Sequence, residues 1–74
     1  MEFFRYDFIY EQRGVVEINE LITEDLDSAC GFFDTLFLEL HADNTDRPEQ
    51  IRLRRRNSDE PVAHYAMHFD ALGE

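Results

Sequence analysis

Two histidines, His64 and His68, are four residues apart, a spacing that on a helix places two metal ligands on one face. In a strand the two side chains share a face but lie about 13 Å apart, at about 3.3 Å per residue, which is too far for one ion. No Cys or Glu motif completes a coordination set around them. We therefore expect no metal site and no cofactor.

Nucleophilic chemistry has no better support in the sequence. The only cysteine, Cys30, falls among apolar residues of a predicted helix, where a buried structural thiol is the usual role. No serine or threonine lies in a glycine-flanked elbow or beside a general base, and there is no glycine-rich phosphate loop. We expect no catalytic residues and a protein that is not an enzyme.

Alternating arginines form the sharpest local feature of the chain. Arg52, Arg54 and Arg56 project from one face of a predicted strand, and His64 and His68 would join them if the last strand pairs beside it. Such a band predicts an anion-binding face for carboxylates or phosphates, because guanidinium groups bind both bidentately. The alternative is cross-strand neutralisation by acids that the alternation assigns to the same open face, namely Asp7, Glu11 and Glu17.

The charge balance limits the partners. The formal net charge is −10, from 17 acids against 7 bases, and no Lys or Arg occurs between Gly14 and Asp46. Direct binding to nucleic acid across a broad surface is therefore disfavoured, because phosphate contacts need a cationic footprint. The same acidity would also serve solubility alone.

A single helix, over about residues 23–42, must organise the fold. Its apolar residues recur on a 3.6-residue period and form one stripe: Leu26, Ala29, Cys30, Phe33, Leu36, Phe37 and Leu40. Thr23 is the expected N-cap. Phe32 and Leu38 lie off the stripe. Either Phe32 widens the core edge and Leu38 is a scattered exposed apolar residue, or the two form a contact surface for another chain, with Gly31 allowing close approach.

Period-2 alternation predicts three strands, at residues 2–11, 15–22 and 51–56. In the first, Phe4, Tyr6, Phe8 and Tyr10 share a face. In the second, the apolar side of Val16, Ile18 and Ile22 is expected to face the helix, with Glu17 on the open face. A turn at residues 12–14, with Gly14 in a left-handed position, joins these two strands.

The last segment fits two structures. Residues 62–72 alternate as a strand, but they also carry an apolar stripe at helical spacing. We choose the strand, which gives one α+β domain over residues 1–74, a ββαββ order with one helix on a mainly antiparallel four-stranded sheet. The alternative is a second helix over residues 60–72, in the order ββαβα.

Without a catalytic set, we expect an interaction module or inhibitor that presents carboxylates to the basic surface of a larger protein. In size, acidity and hairpin–helix–hairpin pattern the chain resembles phage-encoded inhibitors of bacterial defence such as anti-CRISPR proteins; the resemblance rests on no motif. It implies a partner that handles nucleic acid or belongs to a defence complex. The expected partner-binding residues are Glu24, Asp27, Asp34 and Glu39, with Phe32 and Leu38.

Two other hypotheses remain from the sequence. One is a structural homodimer or accessory subunit that assembles through the open sheet face. The other is a weak nucleic-acid binder that uses the arginine face. Since the first residues do not resemble a signal peptide and no apolar run is long enough to span a membrane, we expect a cytoplasmic protein.

Overall fold

The computed structural model describes residues 1–42 and 47–67. The elements are β1 (Glu2–Tyr10), a 3₁₀ turn (Glu11–Arg13), β2 (Val15–Thr23), α1 (Leu26–Ala42), β3 (Gln50–Arg55) and β4 (Pro61–Ala66). The predicted ββαββ domain is confirmed. The alternative of a helix over 60–72 is wrong for 61–66, which form a strand, and residues 68–72 lie outside the described part.

The four strands form one antiparallel sheet in the order β2-β1-β3-β4. β1, with its aromatic face, is one of the two inner strands and pairs with β2 over nine residues and with β3 over six. The β1–β2 turn closes through Gly14, whose φ of 66° is in the left-handed region that glycine adopts without strain. The chain then crosses through α1 to the other side of β1.

The predicted stripe of α1 is confirmed as the helix face that packs on the sheet. Ala29 and Phe33 are fully buried, and the other stripe residues are half-buried against the same core. From the sheet, Phe4, Ile51 and Leu53 complete this core. These side chains hold α1 over one face of the sheet and leave the opposite face, which we call the open face, without a helix.

The helix begins three residues later than the predicted cap. Thr23 is the last residue of β2, and Asp25 caps the helix instead, because its Oδ1 accepts the Ser28 N–H at 2.9 Å. This bond and one with the Ser28 hydroxyl lower the pKa of Asp25. The Thr23 hydroxyl donates to the Asp25 carbonyl at 2.8 Å, so it shapes the approach to the helix. The prediction of Thr23 as N-cap is therefore wrong.

The predicted facing of β2 is also wrong. Register pairs Phe4 with Leu21 and Phe8 with Glu17, and paired residues share a face. Leu21 and Glu17 therefore lie on the helix side, and the apolar alternation falls on the open face. There Val16, Ile18 and Ile22 are each exposed by half or slightly more. The core takes its fully buried sheet side chains from β1 and β3, and β2 contributes the half-buried Leu21.

The Asp25 cap predicts a specific pH dependence. Because the folded-state pKa is lowered, the cap stabilises the fold above the unfolded pKa of about 3.9 and is lost as the pH falls through the lower, folded value. Asp25→Asn keeps an acceptor for the Ser28 N–H but does not titrate. Its thermal midpoint should therefore fall less than that of the wild type between pH 7 and pH about 3.

Asp25→Ala, which removes the acceptor, should lower the midpoint already at neutral pH. Glu24→Gln is the control, because it removes a neighbouring carboxylate that does not accept the Ser28 N–H. Equal acid losses in the wild type and Asp25→Asn would contradict this role.

Candidate interaction surfaces

A buried carboxylate lies at the centre of the open face. Asp7 of β1 is fully buried and sits opposite Arg52 in the register, with Arg54 two residues further along β3 on the same face. The Nε atoms of both arginines donate to Asp7 Oδ2 at 2.9 Å, and Arg54 Nη2 lies 3.4 Å from Oδ1. We call these three residues the Asp7 cluster. Its arginine side chains cover the carboxylate on a sheet face that carries no helix.

The Asp7 cluster confirms cross-strand neutralisation as the role of two predicted anion-binding arginines. Arg54 is 8% exposed, and its hydrogen bond to Asp7 raises the pKa of the guanidinium. Glu11 and Glu17, the other two acids expected to neutralise this band, are elsewhere. Glu17 lies on the helix side, and Glu11 lies in the 3₁₀ turn, where its carboxylate accepts a bond from Gln50.

The remaining members of the predicted band are dispersed. Arg56 lies over the ring of Phe3, with its guanidinium carbon 5.3 Å from the ring centroid. His64 is opposite Arg52 in the register but is hydrogen-bonded to Gln50, at 2.7 Å between Nε2 and Oε1. His68 lies outside the described residues. Binding of an external anion by this band stays a prediction.

The other arginines also contact groups of the same chain. Arg5 Nη2 lies 3.7 Å from Glu20 Oε2, and Arg55 pairs with Glu2. Arg47 Nη1 donates to the carbonyls of Leu40 and His41, where a cation complements the negative end of α1. Arg13 lies over the Tyr10 ring at 4.9 Å. Every arginine of the chain therefore has an internal partner.

The predicted acidic partner-binding residues are exposed. Glu24 precedes α1, and Asp27, Asp34 and Glu39 lie along its outer half. Asp34 accepts a hydrogen bond from the Tyr65 hydroxyl of β4 at 2.6 Å, and this bond raises the pKa of Tyr65. The structure thus brings Asp27, Asp34 and Glu39 onto one helix, while tying Asp34 to the sheet.

The two off-stripe apolar residues differ in their surroundings. Phe32 packs against Tyr6, with the ring centroids 5.4 Å apart, and keeps 39% of its surface exposed. Leu38 is 65% exposed. Gly31 is exposed, and a Cβ added there would meet no atom within 4 Å. Phe32 therefore widens the core edge, which is one of the two predicted roles, and Leu38 projects from the helix.

A shallow depression lies between the start of β1 and the β3–β4 turn. Its volume is about 570 Å³, and it is lined by Glu2, Phe3, Arg55, Arg56, Asn57 and Ser58, with Met1 at its end. The two arginines that line it have contacts within the chain: Arg55 pairs with Glu2, and Arg56 lies over the Phe3 ring. Within residues 1–42 and 47–67, no three His, Cys, Asp or Glu side chains are grouped as metal ligands.

Sequence reasoning missed the exposed apolar side chains of β2 on the open face. Val16, Ile18 and Ile22 are 50–53% exposed, and Phe3, paired with Ile22, is 43% exposed. Their alternation was visible, but its direction depends on the β1–β2 register. For the part of the chain that the structure describes, no helix has the length and apolar character of a membrane span.

Comparisons with protein families, with curated proteins and with solved structures each found no match to this chain.

Replacing one carboxylate oxygen of Asp7 by an amide nitrogen should strongly destabilise the fold. Asp7→Asn leaves two guanidinium groups beside a neutral amide, so we expect a loss of about 3–5 kcal/mol in the free energy of unfolding. Glu20→Gln, which breaks the more exposed pair with Arg5, should cost at most about 1 kcal/mol. Urea denaturation measures both. A loss at Asp7→Asn no larger than at Glu20→Gln would contradict the structural role of Asp7.

Gly31 predicts a stabilising substitution. Because an alanine methyl has free space there, Gly31→Ala should raise the free energy of unfolding by about 1 kcal/mol through helix propensity. Chemical denaturation of the wild type and the variant measures the change. A destabilised variant would show that Gly31 is held by a packing constraint within the chain.

Proposed function

We propose that this protein is a non-enzymatic interaction module that binds a larger protein by presenting carboxylates to a basic surface. The expected binding residues are the exposed acids around α1, Glu24, Asp27, Asp34 and Glu39, together with the projecting side chain of Leu38. A basic surface that handles nucleic acid is the partner of matching charge, so the module would act as an inhibitor that competes with phosphates.

One observation carries the proposal: each of the seven arginines contacts a group of its own chain, although Arg13, Arg55 and Arg56 remain exposed, and the acids of α1 face solvent. Two arginines surround the buried Asp7, two pair with exposed acids, one caps α1 and two lie over aromatic rings. The cations therefore act mainly within the fold. The net charge of −10 is consequently expressed at the surface as carboxylates.

The position of the acids on a helix favours a defined contact over diffuse acidity. Asp27 and Asp34 are seven residues apart, which is two turns and about 10 Å along the axis. Glu39 lies on the other flank of the outer half, with Leu38 between the two flanks. Since α1 is anchored by Phe33 and by the Tyr65–Asp34 hydrogen bond, these charges are presented in a fixed arrangement.

The weak nucleic-acid binder is the less supported alternative. Its predicted contacts require free guanidinium groups, but the Nε–H groups of Arg52 and Arg54 already donate to Asp7. A phosphate at Arg54 would have to compete with its bonds to a buried carboxylate, and at Arg52 the Nε–H is already used in the same way. The surrounding negative charge opposes the same approach.

Charge reversal tests the carboxylate surface. The full chain is immobilised and exposed to a lysate of the cells that naturally express it, and retained proteins are identified by mass spectrometry. We expect a basic protein that is released by added duplex DNA, because both bind the same surface. Asp27→Lys combined with Glu39→Lys should reduce its retention at least about tenfold, which corresponds to about 1.4 kcal/mol.

The matched control is Asp59→Lys combined with Glu60→Lys, in the β3–β4 turn. Each reversal adds two charges, so both double variants have a formal net charge of −6 and differ only in position. Circular dichroism verifies that each is folded. Equal retention on both double variants would contradict a specific role for the α1 acids and would reduce their effect to net charge.

A further inference from the structure

The two edges of the sheet are protected unequally. The β4 edge is short, begins at Pro61, which lacks an N–H, and lies beside a register irregularity at Leu53 and Arg54. The β2 edge runs for nine residues, contains neither Pro nor Lys, and pairs with β1 without a bulge. Pro, Lys and other charged side chains, bulges and short length are features that discourage edge strands from pairing with another chain. Of these, β2 has only the charges of Glu17 and Glu20.

The backbone bonds of β1 show which groups of β2 face the free edge. The carbonyls of Phe3 and Ile9 accept bonds from Arg56 and Glu49, on the β3 side. Since backbone direction alternates along a strand, the odd residues of β1 face β3 and its even residues face β2. Their pairing partners in β2 are odd residues. The N–H and C=O groups of the even residues of β2 therefore point to the free edge: Val16, Ile18, Glu20 and Ile22.

We propose that the β2 edge binds a second copy of this chain, in antiparallel pairing about a two-fold axis at Asn19. Val16 of one copy would lie opposite Ile22 of the other, and Ile18 opposite Glu20. The two four-stranded sheets then become one continuous sheet. The half-exposed apolar side chains of both β2 strands form a common stripe on its open face, where each alone faces water.

Charge and hydrogen bonding select this register. An antiparallel hydrogen-bonded pair needs two residues that both face the edge, and the Asn19-centred register uses all four such residues of each copy. No carboxylate lies directly opposite another, and Glu20 is already paired with Arg5. A register centred on Glu20 would oppose Glu20 to itself, and one centred on Ile18 would leave Ile22 unpaired.

An unpartnered amide at the proposed axis supports the same arrangement. The Asn19 Nδ2 atom is buried and has no hydrogen-bond partner among the described residues. Buried donors of this kind normally have a partner. At the axis the two Asn19 residues form a non-hydrogen-bonded pair with Cα atoms about 4.5 Å apart, a separation at which the two amides can bond to each other. Because this atom is enclosed by its own chain, the Asn19 side chain must rotate on association for the second copy to supply an acceptor.

Net charge predicts how the dimer responds to salt. Two chains of −10 repel each other, and screening reduces this repulsion. Association should therefore strengthen as salt is raised to about 1 M, where the screening length is about 3 Å. A contact driven by opposite charges would respond in the reverse direction.

The test uses opposite charges at one position, measured by sedimentation equilibrium of the full chain at about 1 M and at about 0.15 M salt; the variants are compared at the lower salt, where a screening length of about 8 Å still lets facing charges interact. The wild type should approach twice the 8.8 kDa mass of one chain. Ile18→Glu sets a carboxylate against Glu20 of the other copy and should weaken association at least about tenfold, equivalent to about 1.4 kcal/mol. Ile18→Lys sets a cation against the same carboxylate and should retain the dimer. Circular dichroism verifies folding.

Cross-linking reports the register. In a Cys30→Ala background, Asn19→Cys should form an intermolecular disulfide on oxidation, because the predicted Cα separation at the axis lies within the disulfide range. Glu17→Cys is the control. In this register Glu17 lies opposite Leu21 of the other copy, and the Glu17 residues of the two copies are several residues apart along the strands. Preferential cross-linking at position 17 would overturn the Asn19-centred register.

Two other results would overturn the proposal. One is a mass that stays at 8.8 kDa at about 1 mM chain, where an interaction of about 4 kcal/mol is half-saturated. The other is equal weakening by Ile18→Glu and Ile18→Lys, which would indicate stacking of open faces in place of edge pairing. The proposal does not depend on the carboxylate surface of α1, because the two sets of variants share no residue.

Discussion

The bonds between Asp7 and its two arginines are the interaction on which the rest of the structure depends. A fully buried carboxylate is costly to desolvate and is tolerated only when it is paired and hydrogen-bonded. Two guanidinium groups from β3 satisfy it, at 2.9 Å each, and a shift of one residue would place them on the wrong face. The cluster therefore fixes how β1 and β3 align, and this alignment builds the core under α1.

The same bonds determine the electrostatic character of the surface. The chain has seven cationic side chains, and its densest group of them, at residues 52–56, is the part of the sequence that most suggests anion binding. Asp7 holds two of these arginines, and a third, the exposed Arg56, lies over the Phe3 ring, so the group is largely engaged in contacts within the sheet. Among the acids of α1, Asp34 has an internal contact of this kind, because it accepts a hydrogen bond from Tyr65.

Periodicity in the sequence was sufficient to predict the helix stripe, the first three strands and, as one of two alternatives, the pairing of the arginines with Asp7; for the last strand a helical stripe fitted equally, and the strand was a choice between two patterns. Local spacing defines each of these features. Periodicity was insufficient to place the N-cap of the helix. Two residues able to cap it, Thr23 and Asp25, occur close together, and the path of β2 decides between them. Periodicity was also insufficient for Ile18, whose face depends on a register set by the turn and by which strand supplies the core.

The β2 edge illustrates a further limit of sequence reasoning. The alternation of Val16, Ile18 and Ile22 indicates a strand with one apolar face, but not whether the helix covers that face. In this fold α1 covers the opposite face, so the apolar alternation remains beside a free edge. The exposed apolar strand and the acidic helix are thus two separate surfaces, each with its own chemistry.

The account rests on the claim that the Arg52 and Arg54 guanidinium groups are held inside the fold. NMR of the arginine Nε–H groups, assigned with Arg→Lys variants, tests this directly during titration with a single-stranded oligonucleotide at low salt. We predict that the Nε–H signals of Arg52 and Arg54 are protected from exchange with water and do not shift. Rapid exchange of these two signals, together with shifts that saturate with the oligonucleotide, would contradict the claim.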